Sequence, residues 1–462
     1  MGSSQWPPKV SMELHVNNRE KLLASLRQHL SDSSRPLHGF VLLQGGEEQT
    51  RYDTDHLELF RQESFFAYLF GVTEPGFYGA IDIATGDSLL FAPRLPSEYA
   101  VWLGKIKQLS YFKEHYMVST TFFSDEIASV LQQHYQGAGK PLLFLLHGLN
   151  TDSNNFSKPA EFQGIDKFDK DLTTLHPILT ECRVIKSKLE IALIQYANDI
   201  SSEAHVEFLP WETVCCSCEK KVILGTGSAV LHYGHAAAPN DKTLEDGDMA
   251  LFDMGAEYNF YGSDITCSFP AVLDAHNAVI SSMKPGVNWV DMHILAEKVI
   301  LESLKRGNVL LGDVEDMMAA RLGAVFMPHG LGHFLGIDTH DPGGYLQGLE
   351  RRKEPGLKSL RTIRDLREGM VITVEPGCYF IDALLLPAMD NPMTTKFLNQ
   401  EAINRYKDFG GVRIESDVLV TAAGCYNMTK CPREIGEIEG VMAGAPWPAK
   451  NISTHDRNGL EI

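Results

Sequence analysis

The sequence predicts an α+β chain of two domains, and three observations carry that reading. At 462 residues the chain exceeds the usual size of a single core. Roughly the first 180 residues alternate helix-period and strand-period segments, as an α/β domain does. From Ser187 onward a capped helix is followed by short β-rich runs that end in acids at Gly- or Pro-containing turns. The expected boundaries are a first domain over 1–160, a linker over 161–186 and a second domain over 187–462.

In the first domain Leu22, Leu23, Leu26 and Leu30 form a helical stripe, and Phe40 to Leu43 is a strand closed by Gly45-Gly46. Phe65-Phe66-Ala67-Tyr68-Leu69-Phe70 reads as core. Tyr78 to Phe91 predicts a hairpin about Thr85-Gly86, and Ser124 with Ile127, Val130 and Leu131 a capped amphipathic helix. Pro141 to Leu146 predicts a buried strand. No cluster of metal-type or nucleophile-type residues stands out in this half.

The boundary is expected in the polar segment before Ser187-Lys188-Leu189-Glu190. That tetrapeptide has the capping-box pattern, and Leu189, Leu193, Tyr196 and Ile200 continue the helix it opens. Next, Leu251 to Asp253 and the aromatic run into Asp264 predict two strands joined by a tight turn. A break at Gly255 to Glu257 lets their two carboxylates converge.

Composition excludes several function classes. Against 41 Lys+Arg stand 60 Asp+Glu, and the net charge of −19 opposes nucleic-acid phosphates and anionic lipid. Neither an apolar leader nor a bilayer-length apolar stretch occurs, and the eight cysteines are few, so a cytoplasmic location is expected. Cys215-Cys216-Ser217-Cys218 contains a C-x-x-C without a second pair, which favours incidental thiols over a zinc site. The absence of G-x-S-x-G, P-loop and G-x-G-x-x-G motifs disfavours a serine hydrolase and nucleotide binding.

Three further stretches join the aspartates. Met327-Pro328-His329-Gly330-Leu331-Gly332-His333 has two histidines at i, i+4, but its glycines favour a loop presenting one imidazole. Met370 to Gly377 is a β-rich run ending in Glu375. Gly411 to Val418 alternates, so Arg413 and Glu415 share a face. Singly, each has an ordinary explanation: a core histidine, a strand-end acid, a solvated strand face. Together, Asp253, Asp264, His333, Glu375 and Glu415 form an oxygen-rich set with one nitrogen, suited to a pair of divalent cations.

These stretches resemble those of the pita-bread metallopeptidases, which include methionine aminopeptidase, aminopeptidase P, creatinase and prolidase. The similarity is strongest to the eukaryotic prolidase (Xaa-Pro dipeptidase) branch and runs over nearly the whole chain. It includes Phe60 to Phe66, Leu231-His232-Tyr233-Gly234-His235, Pro328 to Asp338 and Gly410 to Glu415. The resemblance implies a C-terminal pita-bread catalytic domain behind a creatinase-like N-terminal domain, and two metal ions per subunit, manganese by preference. Asp264 and Glu415 would bridge the ions, Asp253 would complete one, and His333 and Glu375 the other.

The implied reaction is hydrolysis of Xaa-Pro and Xaa-hydroxyproline dipeptides by a metal-bridging hydroxide, a late step in degrading collagen and other proline-rich chains. Glu375 would carry the proton, and His232 and His340 would flank the scissile bond. Arg361 and Arg413 would read the substrate carboxylate, against the competing reading of structural ion pairs. A homodimer is implied, with Trp102 closing the neighbour's pocket, unless it is a core tryptophan. Two segments, near 206–227 and 270–275, are shorter than the family pattern, and the family's substrate-side tyrosine has no counterpart. The alternatives are an aminopeptidase P-like enzyme acting on longer peptides and an inactive binding protein.

Overall fold

The computed structural model describes residues 8–208, 231, 251–268, 272–346, 348–406 and 409–447. It divides into two compact units, Lys9–Arg183 and Val184–Ile462, the second including residues 1–8. His232, the Cys215 to Cys218 run, residues 209–227 of the first shortened segment and residues 270–271 of the second lie outside the described residues.

The first unit is built on a six-stranded mixed sheet. Its order is Thr120–Phe123, Ser88–Ala92, Tyr78–Asp82, Phe40–Gln44, Leu142–Leu145, Asp169–Asp171. The hairpin of Tyr78–Asp82 with Ser88–Ala92 is antiparallel, as the Thr85-Gly86 signal predicts. Leu22, Leu26 and Leu30 of helix Glu13–Asp32 are buried, and so is every side chain from Phe65 to Phe70. The cap expected at Ser124 is different. Ser124–Glu126 is a 3-10 turn, and the Phe123 N–H donates to Glu126 Oε2 at 2.9 Å.

Residues 161–186 are not a linker. Asp169–Asp171 adds the sixth strand, Phe168 fills the core under it, and helix Leu175–Val184 buries Leu175 and Leu179. The polar composition that suggested a connection belongs to an edge strand, where charge discourages further pairing.

His15 sets a pH limit on this unit. It is buried, its Nδ1 lies 3.0 Å from Tyr68 O, and burial pushes the imidazole down to about 4, with nearby Arg19 adding to the effect. Above about pH 6.5 the ring is neutral in both folded and unfolded chains. Below that the unfolded chain takes up a proton that the folded one refuses until about pH 4. Amide exchange in Glu13–Asp32 should therefore show about 2 kcal/mol less protection at pH 4.5 than at pH 7. In His15→Gln that loss should shrink to below about 1 kcal/mol; an undiminished loss would clear His15.

In the second unit, alternation along a few strands divides a core from a polar face. Val371–Val374 pairs antiparallel with Ser416–Val420. Ile372, Val374, Val418 and Val420 enter a core shared with Trp289, Ile300 and Leu301 of helix Trp289–Arg306 and Val279 of helix Leu273–Ser282. Thr373, Glu375, Glu415 and Asp417 therefore face the other way. Helix Lys188–Phe208 opens with the predicted box: the Ser187 N–H donates to Glu190 Oε2 (2.7 Å) and the Glu190 N–H to Ser187 Oγ (3.3 Å). Its buried face is rotated from the apolar stripe, however. Asn198, Ser201 and His205 are buried while Ile200 is exposed. No helix of the described residues is long and apolar enough to cross a membrane.

Candidate metal centre

Strand register brings the five predicted ligands to one face. Strands Phe252–Met254 and Ile265–Cys267 pair antiparallel, with Asp253 opposite Thr266. Asp264 stands two residues before Thr266, so both aspartates project from the same side. The segment between them is not one turn. It forms a separate hairpin, Glu257–Tyr258 with Tyr261–Gly262, whose corner residues Asn259 and Phe260 take φ of 46° and 75°. Gly255 is required beside it, because a Cβ there would meet Ser263 O at 2.0 Å.

One further step along the pairing of Val374 with Ser416 sets Glu375 opposite Glu415, and the same register resumes at Gly377 with Arg413. The loop carrying His333 lies along the other edge: Thr373 N–H donates to His333 O (2.9 Å) and Glu375 N–H to Leu331 O (2.8 Å). Only glycine fits at 332, where a Cβ would stand 1.9 Å from Thr373 O. That close approach aims His333 at the acids.

His333 Nδ1 is 3.0 Å from Phe334 O, which can only accept, so the proton sits on Nδ1. Nε2 then faces Asp264 Oδ2 and Glu375 Oε1, each at 3.6 Å. Ligand atoms of Asp264, His333 and Glu415 all lie within 4.8 Å of one another. The Asp253 carboxyl hydrogen-bonds that of Asp264 and is held by Arg413 Nη2 at 2.7 Å. Glu415 Oε2 accepts from Thr266 Oγ1 at 2.6 Å. Asp264 and Glu375 keep 18% and 17% of their side-chain surface exposed, so the cluster opens to solvent.

The electrostatics are those of a site short of positive charge. Burial, then the carboxylates of Asp264, Glu375 and Asp253, push Glu415 well above the usual carboxylate range. Burial would raise Asp264 too, but the adjacent His333 holds it below its ordinary value. Burial alone would lower His333; Asp264 and Glu375 outweigh it and raise the ring to about 8. Four carboxylates and one imidazole whose Nε2 faces two of them, crowded until one acid holds a proton, fit divalent cations by donor chemistry.

Several neighbours escaped sequence reasoning. Asp417 accepts from the Asp264 N–H (3.0 Å) and Asn198 Nδ2 (2.6 Å), and burial with Asp264 beside it raises it to about 8. It follows Glu415 by two on the alternating run, a signal that was available. The predicted single imidazole is two: His329 Nδ1 lies 4.0 Å from Glu375 Oε2 and Nε2 lies 3.1 Å from Tyr379 OH. Ser201 Oγ lies 2.8 Å from Ser263 Oγ, which explains part of the polar face of helix Lys188–Phe208.

The remaining predicted residues divide. The exposed His340 ring meets His333 edge-on, with centroids 4.4 Å apart. Arg413 does not present an open fork: Nη2 goes to Asp253, Nη1 to Tyr379 OH (3.1 Å) and Nε to Thr266 Oγ1 (3.0 Å). Arg361 is half-buried in the turn after Leu360. Trp102 is not a core residue; it is 84% exposed, flanked by exposed Val101 and Leu103.

Comparison with known proteins gives the family and the fold. Residues 187–422 match Metallopeptidase family M24, and residues 15–144 match the Aminopeptidase P, N-terminal domain. The chain is 50% identical to the Xaa-Pro dipeptidase of Homo sapiens and 48% identical to that of Mus musculus, each match covering 94% of both chains. Among solved structures, Pseudomonas aeruginosa aminopeptidase PepP superposes with a TM-score of 0.72 at 24% identity, covering 94% of this chain and 98% of that one. Zn-substituted Escherichia coli aminopeptidase P does so with 0.71 at 24%, covering 95% and 99%. These two carry the fold alone: an aminopeptidase P-like pita-bread domain behind an N-terminal domain. By sequence pattern over half its length and by identity to curated relatives over nearly all of it, the chain belongs to metallopeptidase family M24.

Proposed function

We propose that the chain is a dinuclear-metal dipeptidase that hydrolyses Xaa-Pro and Xaa-hydroxyproline dipeptides. The observation that carries this reading is the convergence of Asp264, His333 and Glu415, with Glu375 and Asp253 beside them, in a chain half identical to Xaa-Pro dipeptidases. Asp253, Asp264, His333, Glu375 and Glu415 would hold two divalent ions. The oxygen-rich donor set favours manganese over metals that prefer thiolate. When bound, such ions supply Lewis-acid activation of a water molecule and of the scissile carbonyl.

The chain's own residues then do the rest. Glu375 takes the proton from the attacking water on a carboxylate oxygen and returns it to the prolyl nitrogen as the C–N bond breaks. His333 is held in one tautomer by Phe334 O, and Asp253 is oriented by Arg413. His340 and His232 steady the oxyanion. The amide before proline has no N–H, so the free termini identify the substrate, and Arg361 is assigned its carboxylate; the donors of Arg413 hold Asp253, Tyr379 and Thr266. Exposed Val101, Trp102 and Leu103 support a homodimer in which Trp102 covers the partner's pocket. No disulfide joins the five described cysteines, in keeping with a cytoplasmic location.

The test is proline release from Gly-Pro by purified chain carrying manganese, with metal content measured on the same sample. Turnover at two ions per chain, with tripeptides such as Gly-Pro-Ala cleaved at least about 100-fold more slowly, is the expected result. Faster cleavage of the tripeptide would replace this reading with the aminopeptidase one. Two bound ions without any proline release would reject it.

A further inference from the structure

Beside the metal centre, outside the groups that would bind substrate or metal, sits a thiol cluster. Cys267 ends strand Ile265–Cys267, one residue past Thr266; Cys431 precedes helix Ile435–Met442. The two thiols are neighbours, each acting on the other's ionisation, and remain unlinked, with Cys431 Sγ 4.0 Å from Ser202 O. Arg433 Nη1 lies 3.4 Å from Cys267 Sγ, and the buried His205, whose Nε2 lies 3.0 Å from Ile265 O, neighbours the same sulfur. Cys267 is half-buried, while Cys431 is buried. The neighbouring Cys431 thiol, then His205 and Arg433, hold Cys267 well below its usual thiol range despite burial. A sulfur in such surroundings carries thiolate character, with a second thiol in contact to resolve whatever forms on it.

The same residues grip Glu415. Thr266 accepts the Glu415 N–H at its carbonyl (3.0 Å) and donates its hydroxyl to Glu415 Oε2. Arg433 donates to Thr266 O at 2.9 Å, to Glu415 O, and to Ser416 Oγ at 3.2 Å. We propose that Cys267 and Cys431 form a peroxide-reactive modification site, whose oxidation to a disulfide displaces Glu415 and shuts off the neighbouring centre.

The chemistry balances with hydrogen peroxide as oxidant. Cys267 thiolate attacks one peroxide oxygen, an S–O bond forms as O–O breaks, and the departing hydroxide takes a proton to become water. The Cys431 thiol then loses its proton and attacks the sulfenic sulfur. An S–S bond forms, S–O breaks, and a second water leaves. Two thiols are oxidised by two electrons and one peroxide is reduced. The sulfurs must close to about 2 Å, which drags Thr266 and Arg433 with them.

The test treats metal-loaded full-length chain with a few equivalents of hydrogen peroxide, blocks remaining thiols with N-ethylmaleimide, and maps peptides by mass spectrometry. The expected product is a Cys267–Cys431 cross-linked peptide, with Gly-Pro turnover lowered by about ten-fold or more and restored by dithiothreitol. Cys431→Ser, with unchanged turnover before oxidation, should instead give a dimedone adduct on Cys267. Full maleimide labelling of both cysteines after peroxide would overturn the proposal, as would cross-linking with undiminished turnover. The turnover arm rests on the peptidase reading and the cross-link does not, so a chain inert before oxidation would fail that reading alone.

Discussion

Glu415→Gln should lower Gly-Pro turnover by about 1000-fold or more, roughly 4 kcal/mol of barrier, while making the metal-free protein more stable than the parent. The two effects have one cause. Glu415 is buried opposite Glu375 and on the same face as Asp253 and Asp264, and in the metal-free chain burial and those acids press it to keep a proton. An amide has the same shape, still accepts the Thr266 hydroxyl, and brings no charge. Removing the cost of keeping that proton, which the unfolded chain gives up, is worth on the order of 1 kcal/mol to the metal-free fold.

With metal the sign reverses. A ligand that binds only the folded chain adds about 2.7 kcal/mol at 100 times its Kd. The parent should therefore show a large rise in Tm on adding manganese, and Glu415→Gln should show almost none. Thermal melts in chelator and in excess manganese, paired with metal analysis, decide the matter. A variant that kept two ions and a tenth of the parent turnover would remove Glu415 from the centre.

How far this site can be read in the sequence depends on which periodicity each residue obeys. Glu375, Arg413 and Glu415 lie on runs whose alternation survives in the strands, and Asp253 and Asp264 flank glycine breaks that do turn the chain. Helix Lys188–Phe208 misleads because hydrophobic periodicity marks only apolar faces. Its buried Asn198, Ser201 and His205 are inside because Asp417, Ser263 and Ile265 O need donors there. Residues 161–186 misled for the opposite reason, since a charged edge strand has the composition of a loop. The partners of Arg413 depend on which strand lies across from it, and no single strand carries that information. Periodicity puts Arg413 beside Glu415, whereas its short ion pair is with Asp253, at 2.7 Å against 3.9 Å.

Arg413→Met tests that assignment with a change of opposite sign. Burial opposes the guanidinium charge, yet Tyr379, Asp253 and Glu415 hold it well above its ordinary value. Losing the cation leaves Asp253 without its partner and the hydroxyls of Tyr379 and Thr266 without a donor. Breaking one side of a buried pair costs about 3–5 kcal/mol, so the metal-free protein should melt well below the parent. Asp253 loses its orientation too, which should weaken metal binding by about 10–100-fold and turnover with it. Arg413→Lys restores one charge without the fork and should fall between. If Arg413 instead read the substrate carboxylate, both variants would raise KM for Gly-Pro and leave metal affinity unchanged. A fall in metal affinity that parallels the fall in turnover would place the guanidinium behind Asp253 and leave substrate recognition to Arg361.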